Sequence, residues 1–166
     1  MTTKNLSQYD ASSVPPANNM RIGIVISEWN YTITSVLAQG AVETLKRHGA
    51  TAENIILKYV PGSFELPLGA QYFAEFENVD AVILLGCVIK GETPHFKYIC
   101  QGVSAGTTTL NLKYNKPFIF GVLTTNNLQQ AKDRAGGKYG NKGDEAAIAA
   151  IKMIHLKHSF SKQYLP

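Results

Sequence analysis

Residues Asp80–Val88, with the sequence DAVILLGCV, decide the fold class of this chain. This run is almost entirely apolar and does not alternate with polar residues, which is typical of a parallel strand that is covered on both faces. Three similar runs occupy Arg21–Ser27, Ile55–Val60 and Phe118–Leu123. We therefore predict four strands whose side chains are buried on both sides of one sheet.

Segments with helical spacing of apolar residues separate and follow these strands. Strands that alternate with helices indicate βαβ units, and hence a parallel sheet. We predict an α/β fold of the flavodoxin-like type, a three-layer α/β/α sandwich with a four-stranded parallel sheet. The predicted helices run from Ile33 to His48, from Leu66 to Phe76, from Thr93 or Pro94 to Leu110, near Asn127–Arg134, and from about Gly143 to Lys157.

Length and composition indicate one domain and a reducing compartment. The chain has 166 residues and a formal charge of +4, an excess too small to imply a nucleic-acid or membrane partner. Residues 1–19 form a polar leader without the apolar core of a signal peptide, and residues 20–166 are expected to form the single α/β domain. The two cysteines, Cys87 and Cys100, lack a CxxC spacing and fit reduced thiols. We expect a cytoplasmic protein.

Polar and aromatic side chains follow each of the predicted strands. Because ligands of open parallel sheets bind beyond the carboxyl ends of the strands, we expect these segments to form one site. The segments are SEWN at 27–30, VPGSFE at 60–65, IKGETPH at 89–95 and TTN at 124–126. Trp29 is either a partly buried anchor or a flat wall for a heteroaromatic ring.

The second and third segments leave two interpretations open. Ser63 either caps the helix that begins at Leu66 or belongs to a turn whose N–H groups hold a carbonyl or anion, while Glu65 could orient a substrate hydroxyl. In the third segment, Gly91 lets the backbone approach a ligand, and Thr93 can cap the helix or bind phosphate. His95 suits proton transfer, although a histidine early in a helix is often structural.

Residues 134–143 combine three basic residues with four glycines. This composition fits either a phosphate cradle or a solvated link between two helices. The spacing is not that of a P-loop, and no histidine or cysteine pattern indicates a metal site.

Five motifs together resemble the lumazine synthase family. They are SEWN, VPGSFELP, GCVIKGETPHF, PFIFGVLTT and RAGGKYGNKGDEAA, and the likeness extends from about Arg21 to Lys157. The resemblance implies the penultimate step of riboflavin synthesis, in which 5-amino-6-(D-ribitylamino)uracil condenses with 3,4-dihydroxy-2-butanone 4-phosphate to give 6,7-dimethyl-8-ribityllumazine, phosphate and water. It implies no cofactor and no metal. The alternative is a non-catalytic lumazine- or flavin-binding protein on the same fold.

The resemblance also implies roles for individual residues. His95 would be the general acid and base, and Arg134 the main phosphate ligand and a second catalytic residue. Phe120 and Arg134 would come from a neighbouring subunit, with Lys142 and Glu145 close by. The residues implied to bind the pyrimidine substrate are Trp29, Asn30, Gly62, Ser63, Glu65, Val88, Ile89, Lys90, Phe120 and Lys142, and those implied to bind the butanone phosphate are Gly91, Glu92, Thr93 and Arg134.

Sites shared between subunits imply a homo-oligomer. The family forms pentamers, and the short link Gly136–Gly143 is like that of members that assemble further into an icosahedral shell. The resemblance implies that the leader packs on a neighbouring subunit. Two departures, Lys90 where arginine is frequent and Lys97 where an acidic residue is common, are expected to affect the rate and its pH dependence.

Overall fold

A central sheet of four parallel strands confirms the predicted fold class. The computed structural model describes residue 5 and residues 7–161. The strands follow the order β2-β1-β3-β4, with every neighbouring pair parallel, and helices cover both faces. Their bounds are β1 Ile22–Ser27, β2 Ile55–Val60, β3 Ala81–Ile89 and β4 Phe118–Thr125.

Five α-helices surround this sheet in the described part of the chain. α1 and α5 pack on one face, and α2 and α3 on the other. The helices are α1 Tyr31–Arg47, α2 Leu66–Phe76, α3 His95–Tyr114, α4 Leu128–Asp133 and α5 Lys142–Ser161. None of these helices is long and apolar enough to cross a membrane.

Alternate residues of β1 enter two separate cores. Ile22, Ile24 and Ile26 are fully buried in the layer beneath α1 and α5. Val25 faces the opposite layer, beneath α2 and α3. Because successive side chains of a strand point to opposite faces, both must be apolar here, which explains the lack of alternation in the sequence. The sheet is thereby held as a rigid support for the loops at its carboxyl end.

The glycine-rich segment before α5, whose composition fitted either a phosphate cradle or a solvated link, has regular structure of its own. It forms an antiparallel hairpin of β5 Ala135–Gly137 and β6 Gly140–Asn141. Gly136 and Gly140 have positive φ angles of 86° and 85°, which glycine adopts without steric cost. The glycine-rich segment therefore has a defined structure, although its composition is typical of a flexible link.

The boundaries of α3 and α5 also differ from those predicted. α3 begins at His95, and Pro94 is the residue that precedes its first turn rather than a member of it. α5 begins at Lys142 and continues to Ser161, beyond the predicted end at Lys157. Neither shift moves the polar segments away from the carboxyl end of the sheet.

The described part of the leader packs on its own chain. Val14 and Ala17 are buried in the core beneath α1 and α5. Tyr9 Oη lies 2.9 Å from Nε2 of His48, and the Ala17 N–H donates to the His48 carbonyl at 2.8 Å. The predicted contact of residues 1–19 with a neighbouring subunit stays a prediction, and residues 1–4 and 6 lie outside the described residues, as do 162–166 of the predicted domain.

Candidate active site

The loop after β1 is tied to the turn after β2. The Glu28 N–H donates to the Val60 carbonyl at 2.8 Å, and the Trp29 N–H donates to the Pro61 carbonyl at 3.1 Å. The Trp29 ring lies over Gly62, where a Cβ would approach within 2.5 Å of the ring atom Cε3. The ring nevertheless remains 65% exposed. The loop thus presents a flat aromatic surface to solvent above a glycine that leaves room for it.

Asn30 connects this loop to β3. Its Nδ2 donates to the Cys87 carbonyl at 2.9 Å. The residue adopts a left-handed conformation with φ 61°, which asparagine tolerates better than most residues, and it directly precedes α1. Its side chain therefore fixes the loop across two neighbouring strands.

The turn after β2 places Ser63 and Glu65 beside the tryptophan. A short 3-10 helix, Ser63–Glu65, leads into α2. Ser63 is buried, and a Cβ at Gly86 of β3 would meet its Oγ at 2.6 Å. The interpretation of Ser63 as a side-chain cap of α2 is wrong, because α2 has no side-chain cap and instead carries a proline in its first turn. Proline suits that position since the first N–H groups of a helix have no partner within it.

The Glu65 carboxylate contains an unused acceptor. Its Oε2 is buried and has no hydrogen-bond partner among the described residues. The same atom would lie 3.0 Å from a Cβ at Gly62, so it is directed towards the glycine under the Trp29 ring. A buried polar atom without a partner is costly, and a ligand hydroxyl or N–H at this position would satisfy it.

The end of β3 opens into an exposed segment. Val88 and Ile89 are half-buried, and the Lys90 N–H donates to the Thr125 carbonyl at 2.8 Å, which holds the end of β3 against β4. Residues 90–95 are exposed, and apart from Gly91 and its chain neighbours no atom of the described residues lies within 4 Å of the position of a Cβ at Gly91. His95 is exposed as the first residue of α3. The N–H groups of this first turn and the helix dipole make the position favourable for an anion.

A second set of charged residues lies at the β5–β6 hairpin. Arg134 Nη2 lies 2.7 Å from Glu145 Oε1, and its Nη1 donates to the Tyr139 carbonyl at 2.8 Å. Lys142 Nζ lies 3.1 Å from Glu145 Oε2. One carboxylate thus bridges two cations at the start of α5, and only 17% of the arginine side chain is exposed.

These residues form two separate groups within one chain. We call the first the rim group, and it lies at the carboxyl end of the sheet beside α2 and α3. We call the second the hairpin group, and it lies on the α1 and α5 side, where Ala135 packs against that core and Asn141 Nδ2 donates to the Val36 carbonyl at 2.9 Å. The rim group is Trp29, Asn30, Gly62, Ser63, Glu65, Val88, Ile89, Lys90, Gly91, Glu92, Thr93 and His95, and the hairpin group is Arg134, Lys142 and Glu145.

No side-chain hydrogen bond or ion pair joins the two groups within residues 5 and 7–161. Phe120 belongs to neither, because it lies within β4, half-buried against the core of α2 and α3. The structure therefore packs Trp29, Gly62 and Glu65 together and places residues 88–95 at the same end of the sheet, whereas Arg134 and Lys142 lie at the hairpin.

Sequence reasoning missed two residues that support the hairpin group. Asn141 is buried, and its Oδ1 accepts a hydrogen bond from the Gly143 N–H at 2.8 Å. Ser7 contacts Asn141 across 134 positions, a separation at which no local pattern could indicate it. Gly137 and Gly140 flank the turn at Lys138–Tyr139, and glycine is a turn signal that could have indicated the hairpin. The described residues contain no group of three His, Cys, Asp or Glu side chains that could hold a metal ion.

Comparison with known proteins agrees with the sequence motifs. A family model described as 6,7-dimethyl-8-ribityllumazine synthase matches residues 19–158. Proteins with this name are similar over nearly the whole chain. That of Parabacteroides distasonis is 60% identical over 153 residues, which are 92% of this chain and 96% of the relative. That of Phocaeicola vulgatus is 55% identical over 158 residues, 95% and 94% of the two chains. That of Bacteroides fragilis is 58% identical over 143 residues, 86% and 100%.

Proposed function

The chain belongs to the 6,7-dimethyl-8-ribityllumazine synthase family, and from this premise we propose that the rim group and the hairpin group are two halves of its active site. The protein is a transferase of riboflavin biosynthesis. It condenses 5-amino-6-(D-ribitylamino)uracil with 3,4-dihydroxy-2-butanone 4-phosphate to give 6,7-dimethyl-8-ribityllumazine. The names of these relatives do not favour the alternative of a non-catalytic binding protein.

The rim group holds the pyrimidine substrate in this proposal. Trp29 offers an exposed ring face on which the pyrimidine stacks. Glu65 Oε2, buried without a partner among the described residues, accepts a hydrogen bond from a ribityl hydroxyl beside Ser63. Asn30 and the backbone of Val88–Lys90 line the ring. The unpartnered carboxylate under an aromatic ring is the single observation that carries this half of the proposal.

The phosphorylated substrate binds between the start of α3 and the hairpin group. Gly91–Thr93 provide an open backbone segment, and the first-turn N–H groups of α3 face an incoming anion. Arg134 supplies a planar, permanently charged group that matches a phosphate, and Lys142 adds a second cation. Together these groups hold the phosphate as it becomes the leaving group.

His95 transfers the protons that the reaction requires. The amine of one substrate attacks the ketone of the other, and loss of water from the resulting carbinolamine gives an imine. Phosphate then leaves, and ring closure releases a second water. Each elimination needs a proton to move, which an exposed imidazole at the start of α3 can accept and return. Part of the rate comes from holding the two substrates together in a reactive arrangement.

A site shared between adjacent subunits reconciles the two separated groups. In one chain the hairpin group lies on the opposite side of the sheet from Glu65, so the rim group of one subunit would meet Arg134 and Lys142 of the next. Phe120 lies on the same side as Glu65, and its contribution across the interface rests on the family resemblance alone. Large apolar side chains at the surface support association, since exposed apolar patches mark contact surfaces. They include Tyr31, Phe64, Leu68, Tyr72, Phe76, Tyr98 and Leu112.

Mixed oligomers of two inactive variants test the shared site. His95→Ala and Arg134→Ala subunits are co-expressed with different affinity tags, and oligomers that carry both tags are purified. If His95 and Arg134 of one site come from different chains, about one quarter of the sites in an equal random mixture contain both residues intact. The mixed oligomer then recovers about one quarter of the wild-type rate of lumazine formation.

The separately purified variants, combined without exchange of subunits, are the control and stay at their own low rates. Mixed oligomers that show only the average of the two variants would place both residues of a site in the same chain and refute the sharing. The absorbance and fluorescence of the lumazine product report the rate directly.

We also infer a pentamer that assembles further into an icosahedral shell, because the short link Gly136–Gly143 between α4 and α5 resembles that of family members that form such shells. Light scattering of the purified protein decides this point, and a particle with the mass of a pentamer would refute the shell. We infer a cytoplasmic location, which the free thiols Cys87 and Cys100 support.

A further inference from the structure

The two cations of the hairpin group, Arg134 and Lys142, are held by partners within the same segment of the chain. Arg134 is fixed at both terminal nitrogens, by Glu145 Oε1 at 2.7 Å and by the Tyr139 carbonyl at 2.8 Å. Glu145 Oε2 holds Lys142 at 3.1 Å. The Lys142 N–H also donates to the Arg134 carbonyl at 2.9 Å, which connects the two cations through the backbone. A displacement of the hairpin would therefore move both cations together.

Ser7 of the leader holds the end of this hairpin. Its Oγ accepts a hydrogen bond from the Asn141 N–H at 2.6 Å. The single proton of the hydroxyl is directed to the Asn141 carbonyl at 2.9 Å or to Glu145 Oε1 at 3.3 Å. Ser7 thus contacts the residue that precedes Lys142 and the carboxylate that bridges the two cations.

Asn141 transmits this contact to two helices. Its Nδ2 donates to the Val36 carbonyl of α1 at 2.9 Å, and its Oδ1 accepts from the Gly143 N–H of α5 at 2.8 Å. The residue is buried, so loss of the Ser7 hydroxyl would remove an acceptor of its backbone N–H from a place that water reaches poorly. The Ser7 hydroxyl therefore contacts the residue whose side chain joins the hairpin to α1 and to the start of α5.

Gly140 shows that the leader is closely seated. A Cβ at this residue would collide with Asn5 Oδ1 and Ser7 Oγ, and its φ of +85° independently favours glycine. Asn5 Oδ1 in turn accepts a hydrogen bond from the Ser7 N–H at 2.9 Å. The side chains of Asn5 and Ser7 thus pack directly against the backbone of the hairpin, which leaves no space for a side chain at Gly140.

We propose that Ser7 is a positioning residue for the phosphate-binding cations, and that it acts through Asn141 and Glu145. The proposal rests on the proposed function of the hairpin group as the phosphate half of the site. Ser7 touches neither substrate. Its role is to keep Arg134 and Lys142 in the orientation that a phosphate monoester requires.

Kinetics of a Ser7→Ala variant test the proposal, with Ser12→Ala as the matched control. Ser12 is another leader serine, but it is exposed and its Oγ donates only to Asp10, at 2.7 Å. Ser7→Ala is expected to raise KM for the butanone phosphate and the inhibition constant of inorganic phosphate about fivefold, the usual effect of one lost hydrogen bond. KM for the pyrimidine substrate is expected to change less than about twofold, because the rim group keeps its contacts.

Three outcomes distinguish a failure of the positioning role of Ser7 from a failure of the proposed phosphate binding by the hairpin group. A rise confined to the phosphate substrate, with Ser12→Ala like the wild type, supports the positioning role. Equal changes in both KM values, or kinetics like those of Ser12→Ala, overturn it. An Arg134→Ala variant is measured in parallel. If that variant also binds the phosphate substrate like the wild type, the assignment of phosphate to the hairpin group fails rather than the role of Ser7 alone.

Discussion

The rim group and the hairpin group are held in place in different ways. Around Trp29 the loops are fixed by backbone hydrogen bonds and by the side chain of Asn30, and the side chains that face solvent have few partners. Glu65 Oε2 has none among the described residues. Around Arg134 the side chains already satisfy one another, since Glu145 pairs with both Arg134 and Lys142. The rim group thus presents a hydrogen-bond acceptor without a partner among the described residues, whereas the hairpin group presents charged side chains that are already held in place.

This difference suits the two substrates of the reaction. A ribityl chain carries hydroxyl groups that exchange water for protein partners, and an unsatisfied carboxylate gains most from such an exchange. A phosphate requires positive charge at a defined place. Donors that are already fixed need little reorganisation when negative charge develops on the leaving phosphate. Variants of each group should therefore affect different kinetic constants.

Arg134→Ala is expected to have the largest effect. Removal of the fixed guanidinium should lower kcat/KM for the butanone phosphate about 100- to 1,000-fold, because charge on the leaving phosphate loses its main partner. Steady-state assays with the pyrimidine substrate saturating measure this change. Arg21→Ala is the matched control, because Arg21 pairs with Glu77 at 3.0 Å and belongs to neither group. Equal losses in the two variants would show a general effect of a broken ion pair.

His95→Ala is expected to lower kcat about 100-fold with KM values within about twofold of the wild type. The imidazole would move protons in the reaction but contribute little to binding, so the effect should appear in turnover alone. His155→Ala on α5 is the control, since this histidine is also exposed. Unchanged turnover of the His95 variant would remove it from the mechanism.

The sequence predicted the rim better than the hairpin for a physical reason. Each strand ends where its apolar run ends, so the order of apolar runs and polar segments was enough to place the segments after β1 to β4 at one edge of the sheet. The contacts of the hairpin depend on Ser7, which is 134 positions from Asn141. The spacing of residues in the sequence does not indicate such a distant pair, and the composition of residues 134–143 fitted a solvated link as well as a phosphate cradle.

The unsatisfied state of Glu65 was likewise not predictable from the motif. The sequence indicated a carboxylate beside a turn, but its burial depends on Gly62 and on the ring of Trp29 folding over that glycine. The motif therefore identified Glu65, but only the packing of the two loops showed that its Oε2 is buried without a partner among the described residues.

Trp29→Ala is expected to have a smaller effect than changes at Arg134 or His95. Loss of the stacking surface should raise KM for the pyrimidine substrate about tenfold, in keeping with the usual energy of stacking a base on an aromatic ring. KM for the butanone phosphate should change little. Trp29→Phe keeps a ring and should fall between the alanine variant and the wild type. Because Trp29 is largely exposed, the thermal midpoint of unfolding should stay close to that of the wild type. An alanine variant with an unchanged KM for the pyrimidine would contradict the stacking role.

The smallest expected effect concerns the thiol beneath the rim. Burial raises the pKa of Cys87, whose carbonyl holds Asn30, to about 11 from an ordinary value of 9.0. Between these values the unfolded chain loses the thiol proton while the folded chain keeps it, so the free energy of unfolding falls as pH rises. The loss reaches roughly 2 kcal/mol near pH 11.

Cys87→Ala should flatten this dependence above pH 9, whatever its effect on stability at neutral pH. Urea unfolding at several pH values and a fixed protein concentration measures the slope, since association also contributes to stability. Cys100→Ala is the control, because Cys100 is only half-buried and a backbone hydrogen bond opposes the rise that desolvation causes in its pKa. If the Cys87 variant kept the full slope, the thiol would not be the group that couples the sheet beneath the rim to pH.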